Sequence, residues 1–190
     1  MDDYIEKIHE VLSRSMSKRG YRIWCEMERS IPNIWNKPTS STGKYHKKQN
    51  GDIPNIAEHV YHMLYAASKI IRLFGFKNNT VEADKLYMAI AFHDSLKYGD
   101  YGNRAHTDNE HDKNAADKII SANKHNFLKI FTEDQFNILE EAVRFHSGRW
   151  STDVYDEKKF KWDELNPETF FVHILDMLST ADLIQTDVRE

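Results

Sequence analysis

The sequence predicts an all-α fold, and two observations predict it. In 190 residues there are only 7 Gly and 4 Pro, against 40% hydrophobic and 29% charged residues, a balance that suits amphipathic helices better than a disordered or all-β chain. Apolar residues also recur at helical spacing in one segment after another. The length suffices for one compact domain with a real core and is short for two independent ones.

Each element follows from its own stretch. Tyr4, Ile5, Ile8, Val11 and Leu12 repeat at helical spacing, and a shorter pattern runs through Ile23, Trp24 and Met27 to Ile31. From Pro32 to Pro54 the periodicity stops, and NKPTSSTGKYHKKQNGDIP collects Pro, Ser, Thr, Gly, Asn and Lys as a loop does. A loop that long is expected to be functional. The next helix begins near Pro54 and carries Ile56, Val60, Met63, Leu64, Ala67, Ile70, Ile71 and Phe74 on one stripe, with Gly75 as its stop. Another begins near Asn79 and Thr80, has Glu82 in its first turn and runs to about Lys97. After the polar loop GDYGNRAHTDNE, Ala115, Ala116, Ile119 and Ile120 mark one helix, and Phe136, Leu139, Ala142 and Val143 another. Residues 147–167 read as an irregular, aromatic-rich connection. The last helix, from about Pro167 to Thr186, is apolar nearly all round through Phe170, Phe171, Val172, Ile174, Leu175, Leu178 and Leu183, and is expected to be buried.

Charge and cysteine content narrow the function. A net charge of -4 provides no general field toward nucleic acid or an anionic membrane, so any anion site must be local. The acidic start MDDYIEKIHE lacks the features of a signal peptide and no apolar run reaches spanning length, so a cytoplasmic location is expected. Cys25 is alone, which leaves His and carboxylates as the means of holding a metal.

The histidines are the candidates. At about 100° per residue, the stripe of the 54–74 helix leaves His59 near its edge and His62 well outside, in solvent. Leu86, Ile90 and His93 follow i, i+4, i+7, so His93 continues a buried face with Asp94 beside it. His111 precedes Ala115 by one turn, and His146 extends the series Leu139, Ala142, Val143. Burying several imidazoles is costly unless partners converge, and a divalent ion satisfies them together. A His and carboxylate set without Cys suits Mn, Fe, Co, Ni or Zn and takes Mg less distinctively. Adjacent helix residues diverge by about 100°, so Asp94 can bridge two ions while His93 serves one.

These residues resemble the HD-domain metal-dependent phosphohydrolase superfamily. Its ordered pattern is matched by His59, His93 with Asp94, His111, His146 and Asp176, and HDSLKYG is similar to its His-Asp-x-x-Lys form. The likeness covers about residues 55–185. It implies a helical bundle with an N-terminal helical extension over residues 1–54, which ends in the long basic loop, and a metal-binding domain over 55–190. The form with two additional histidines is similar to the dinuclear members, which implies two divalent ions on those six residues. His106 is the alternative to His111, and Asp182 the alternative to Asp176. The segment PTSSTGKYH is similar to a stretch that precedes the first metal His in a subset of the family, with Thr39 in place of an Ala. Where the family often has His-His, this chain has His146-Ser147.

The resemblance implies hydrolysis of a phosphoester, monoester or diester, of a nucleotide above all, with short nucleic acid as a further substrate class. Asp94 would orient the attacking water as well as bridge, and Lys97 would place its ammonium on a phosphate oxygen. Ser41, Lys44 and Tyr45 of the basic loop, with Lys97 and Arg149, are the candidate substrate contacts, and Trp150 offers a stacking surface. Two alternatives stand beside this: a dinuclear iron oxygenase on the same scaffold, and a catalytically inactive, metal-stabilised nucleotide-binding module. Substrate identity and oligomeric state are not legible.

Overall fold

The structure, a computed structural model, describes residues 3–40, 48, 50–151 and 161–181. Among them there is no strand; Pro38 and Asn55 form an isolated antiparallel bridge. The helices are α1 (Asp3–Ser15), α2 (Lys18–Met27), α3 (Ile56–Ile70), α4 (Val81–Phe92), α5 (His111–Asn114), α6 (Lys124–Phe127), α7 (Glu133–Arg144) and α8 (Pro167–Thr180). The all-α expectation holds. No helix among the described residues is long and apolar enough to cross a membrane.

The core is organised around α4, in which every residue from Ala83 to Phe92 is buried. α3, α7 and α8 pack against it, and α1 lies across α3. The expectation that the last helix would be the buried one is therefore corrected. α8 turns Phe171, Val172, Leu175 and Ser179 inward and leaves Phe170 and Met177 each 43% exposed. Apolar composition on all sides marks both helices, but α4 has neighbours on every side and α8 lies at the edge.

Two buried polar groups on α4 are matched with partners, as burial requires. Asp84 accepts from the Ser17 backbone N–H at 2.8 Å and from its hydroxyl, while Ser17 caps α2 by accepting from Gly20 N. Lys85 pairs with Glu168 of α8 at 2.8 Å. Gly20 is needed here, because a Cβ at that position would lie 2.2 Å from an Asp84 carboxylate oxygen.

α3 starts one residue after Asn55, whose side chain accepts from Glu58 N. Two of its other unpaired N–H groups are taken by the preceding segment: Ile56 N donates to Lys37 O and Ala57 N to Trp35 O. The helix tightens to a 3₁₀ turn, Ile71–Phe74, and ends on Gly75 in the left-handed region, as expected. Tightening changes the angle per residue, so Phe74 leaves the stripe it was assigned to and stays half-exposed, with its ring on the buried Phe171, centroids 4.7 Å apart. His62 is half-buried with its ring against Tyr4 of α1, not solvated, because α1 covers that face.

α4 ends at Phe92 rather than near Lys97. Residues 93–99 continue as turns closed by i to i+3 bonds, Ser95 N to Phe92 O, Lys97 N to Asp94 O and Gly99 N to Leu96 O, with Gly99 at φ +76°. α5 runs straight into a π-helical segment, Ala115–Ile120, whose Ala115, Ala116, Ile119 and Ile120 are buried as the spacing predicts. α7 opens with a capping box between Thr132 and Gln135. Glu141 of α7 then clamps the start of α8, accepting from Asn166 N at 2.8 Å, Asn166 Nδ2 at 2.9 Å and Thr169 Oγ1 at 2.6 Å. That clamp fixes the register of α8, and with it the place of Asp176.

Candidate metal centre

His59, His93, Asp94, His111, His146 and Asp176 converge on one region of the core. His59 comes from the first turns of α3, His93 caps α4, His111 opens α5, His146 follows the end of α7, and Asp176 lies on α8. His59, His93, Asp94 and His146 are buried. His59 Nε2 is 3.2 Å from His93 Nε2 and 3.2 Å from Asp176 Oδ1. Asp94 faces both pairs of imidazoles with different oxygens. Its Oδ2 lies 3.5 Å from His93 Nε2 and 4.0 Å from His59 Nε2, while its Oδ1 lies 3.2 Å from His111 Nε2 and 3.7 Å from His146 Nε2.

The rings are oriented by one repeated device. Each of three histidines has Nδ1 on the carbonyl three residues upstream: His93 on Ile90 O at 2.7 Å, His111 on Asp108 O at 2.8 Å and His146 on Val143 O at 2.7 Å. A carbonyl only accepts, so Nδ1 carries the proton and donates. In the neutral ring that leaves a lone pair on Nε2, directed at the carboxylates. The fourth ring, His59, has Nδ1 2.9 Å from Ser179 Oγ.

The Nε2 lone pairs of His93, His111 and His146 therefore face the lone pairs of Asp94. Asp94 Oδ1 is buried without a hydrogen-bond donor, and His59 Nε2 confronts His93 Nε2. Protonating the imidazoles would relieve this, but burial pushes the His59 pKa down even though Asp176 opposes it. Burial alone would raise the carboxyls. The Lys97 ammonium, followed by the neighbouring His93, His111 and His146 rings, holds Asp94 well below the usual carboxylate range, and His59 leads the groups that lower Asp176. Ionised carboxylates and imidazole lone pairs at this spacing are the donor set of a divalent ion. Two groups, His59 with His93 and Asp176, and His93 with Asp94 and His146, could hold an ion; both draw on the single free nitrogen of His93, so they are alternatives for that residue.

The remaining candidates divide. Lys97 is buried, not a solvated helix end, and its Nζ donates to Asp94 Oδ2 at 2.6 Å. Arg149 is exposed, with its guanidinium 4.3 Å over the ring of Trp150, which is itself 55% exposed. His106 is exposed in its loop, whereas His111 Nε2 lies 3.2 Å from Asp94 Oδ1. Ser41, Lys44, Tyr45 and Asp182 lie outside the described residues. Both flanks of the 41–47 segment are anchored at the start of α3. Thr39 N and Oγ1 donate to Pro54 O, Tyr98 Oη donates to Pro38 O at 2.6 Å, and Lys48 Nζ pairs with Glu58 at 2.5 Å.

Sequence reasoning passed over three residues that touch the centre's framework: Ser179 on His59, His173 whose Nδ1–H donates to His146 O at 2.7 Å, and Tyr98 on the loop anchor. Ser179 and His173 each stand three residues from Asp176 on α8, the spacing at which helix residues share a face.

The family model of the HD domain matches residues 56–181, which is α3 to α8 with the residue that follows, and every residue of the centre falls inside that span. The chain belongs to the HD-domain family, whose members are generally metal-dependent hydrolases. No curated protein and no solved structure matches it.

Proposed function

We propose that this protein is a metal-dependent phosphohydrolase that cleaves a nucleotide phosphoester at a dinuclear centre held by His59, His93, Asp94, His111, His146 and Asp176. The observation that carries the reading is Asp94: its two carboxylate oxygens face two separate pairs of imidazoles, as a bridging ligand between two ions requires. Bound divalent ions supply Lewis acidity, lowering the pKa of a coordinated water toward neutrality and neutralising charge on the phosphate.

The chain supplies the rest. Asp94 accepts from the attacking water and so aims it, and Lys97, already at 2.6 Å from Asp94, holds a positive charge beside the reacting phosphate. Family membership supports phosphoester hydrolysis as the reaction class. The nucleotide reading draws on Trp150, which offers a half-exposed indole close in sequence to His146 with Arg149 across it, a surface suited to a base and a phosphate. Ser41, Lys44 and Tyr45 are assigned to the substrate phosphate because both flanks of their segment are tied to the helix that carries His59.

A screen of phosphomonoesters, phosphodiesters and nucleotides with Mn, Fe, Co and Mg tests the reading, and turnover of a nucleotide ester with at least one of these metals is expected. Lys44→Ala should then slow turnover without changing metal content, since an ammonium has no lone pair to ligate with. Turnover of no ester with any metal contradicts the assignment, and wild-type rates in Lys44→Ala remove the loop from the substrate site.

A further inference from the structure

Three of the four imidazoles in the centre take their orientation from backbone and one does not. His93, His111 and His146 sit at helix ends, where the carbonyl three residues back is within reach of Nδ1. His59 lies inside α3, with its own N–H bonded to Asn55 O, and helix carbonyls there are engaged by the ladder. Its Nδ1 instead meets a side chain from the far end of the chain, Ser179 Oγ at 2.9 Å, between two residues that are both buried. One turn earlier on the same helix, Asp176 lies against the other nitrogen of the same ring. α8 thus grips His59 at both nitrogens.

We infer that Ser179 is a positioning residue for the metal centre: its hydroxyl accepts the Nδ1 proton of His59, which fixes the tautomer that leaves Nε2 free to ligate an ion together with Asp176. The inference rests on the reading of His59 as a metal ligand. Without the acceptor, the ring is free to carry its proton on Nε2 and donate to Asp176 Oδ1, which removes both groups from the donor set at once. A hydroxyl in a helix can send its own proton to a carbonyl one turn back, so Ser179 remains able to accept. Partners of this kind change metal affinity on the order of 10- to 100-fold when removed. The loss should be confined to the ion at His59 and Asp176, because the Nδ1 protons of His111 and His146 are held by backbone that Ser179 does not touch.

The test is calorimetric titration of the metal-free, full-length chain with Mn(II), comparing wild type, Ser179→Ala and Ser179→Thr, with circular dichroism to report folding. Ser179→Ala should bind one ion at least tenfold more weakly and the other unchanged, and Ser179→Thr should recover most of the loss. Equal affinities in wild type and a folded Ser179→Ala overturn the role of Ser179 alone, whereas a wild type that binds no ion overturns the metal reading and this inference with it. Nitrogen-15 NMR of the histidine rings in the wild-type metal-free chain decides the matter even where Ser179→Ala does not fold. A proton on His59 Nδ1 is expected, and a proton on Nε2 contradicts the proposal.

Discussion

Asp94 is the residue on which the centre turns, because it alone faces both imidazole pairs and Lys97. Asp94→Ala should abolish hydrolysis and metal retention together, leaving the buried Lys97 ammonium without its counter-charge. His111→Ala should lose one ion and most activity, whereas His106→Ala should match wild type in both, measured by metal analysis and ester turnover. The six residues were legible in the sequence through their order and family pattern, and His59, His93, His111 and His146 also through their place on or beside apolar stripes. Asp176 was legible only through the pattern. A helix apolar nearly all round shows no stripe to place it by, and the buried line runs through Val172, Leu175 and Ser179, with Asp176 beside it. Ser179 stood in the same ILDMLS segment, but nothing in the sequence says that a hydroxyl there meets an imidazole 120 residues away.

The junction of α2 with α4 makes the sharpest prediction among the elements. Gly20→Ala would gain about 1 kcal/mol in helix propensity, but its Cβ would lie 2.2 Å from the Asp84 carboxylate, and overpacking of that kind costs about 1–3 kcal/mol. The clash should win, and chemical denaturation should show net destabilisation. Burial raises the Asp84 pKa above 3.8, with Ser17 offsetting part of the rise and Glu82 adding to it. The folded state therefore binds this proton more tightly than the unfolded one. Its contribution to stability is full below 3.8 and is lost as pH rises through the higher folded value. Asp84→Asn, which has no charge to bury, should thus gain on wild type as pH rises from 3.8, read from paired denaturation curves; a constant difference would exclude the linkage. Helix existence was legible from periodicity except for the short α6, Lys124–Phe127, which is too brief to show a repeat. Two things were not: that α4 rather than α8 is central, which depends on neighbours and not on composition, and that α4 stops at Phe92, where a run of three-residue turns carries His93 and Asp94 into the centre.

Across the whole molecule, the N-terminal helices share the core with the family-matched region. Ile8, Leu12, Met16, Ile23, Trp24 and Met27 are buried in the same cluster as α3 and α4, and the segment 35–39 supplies both the carbonyls that finish α3 and the anchor for Tyr98. The break in periodicity after Ile31 was visible in sequence, but the stitching of that segment to α3 was not, because it runs through backbone carbonyls that no residue pattern encodes. The centre is thereby assembled from both ends of the chain, with α3 fixed from the N-terminal side and α8 supplying Asp176. The most direct test of the account is the metal content of the wild-type chain by elemental analysis after loading with Mn(II) and removal of free metal. Two ions per chain are predicted, from the two faces of Asp94; one ion or none contradicts the dinuclear centre.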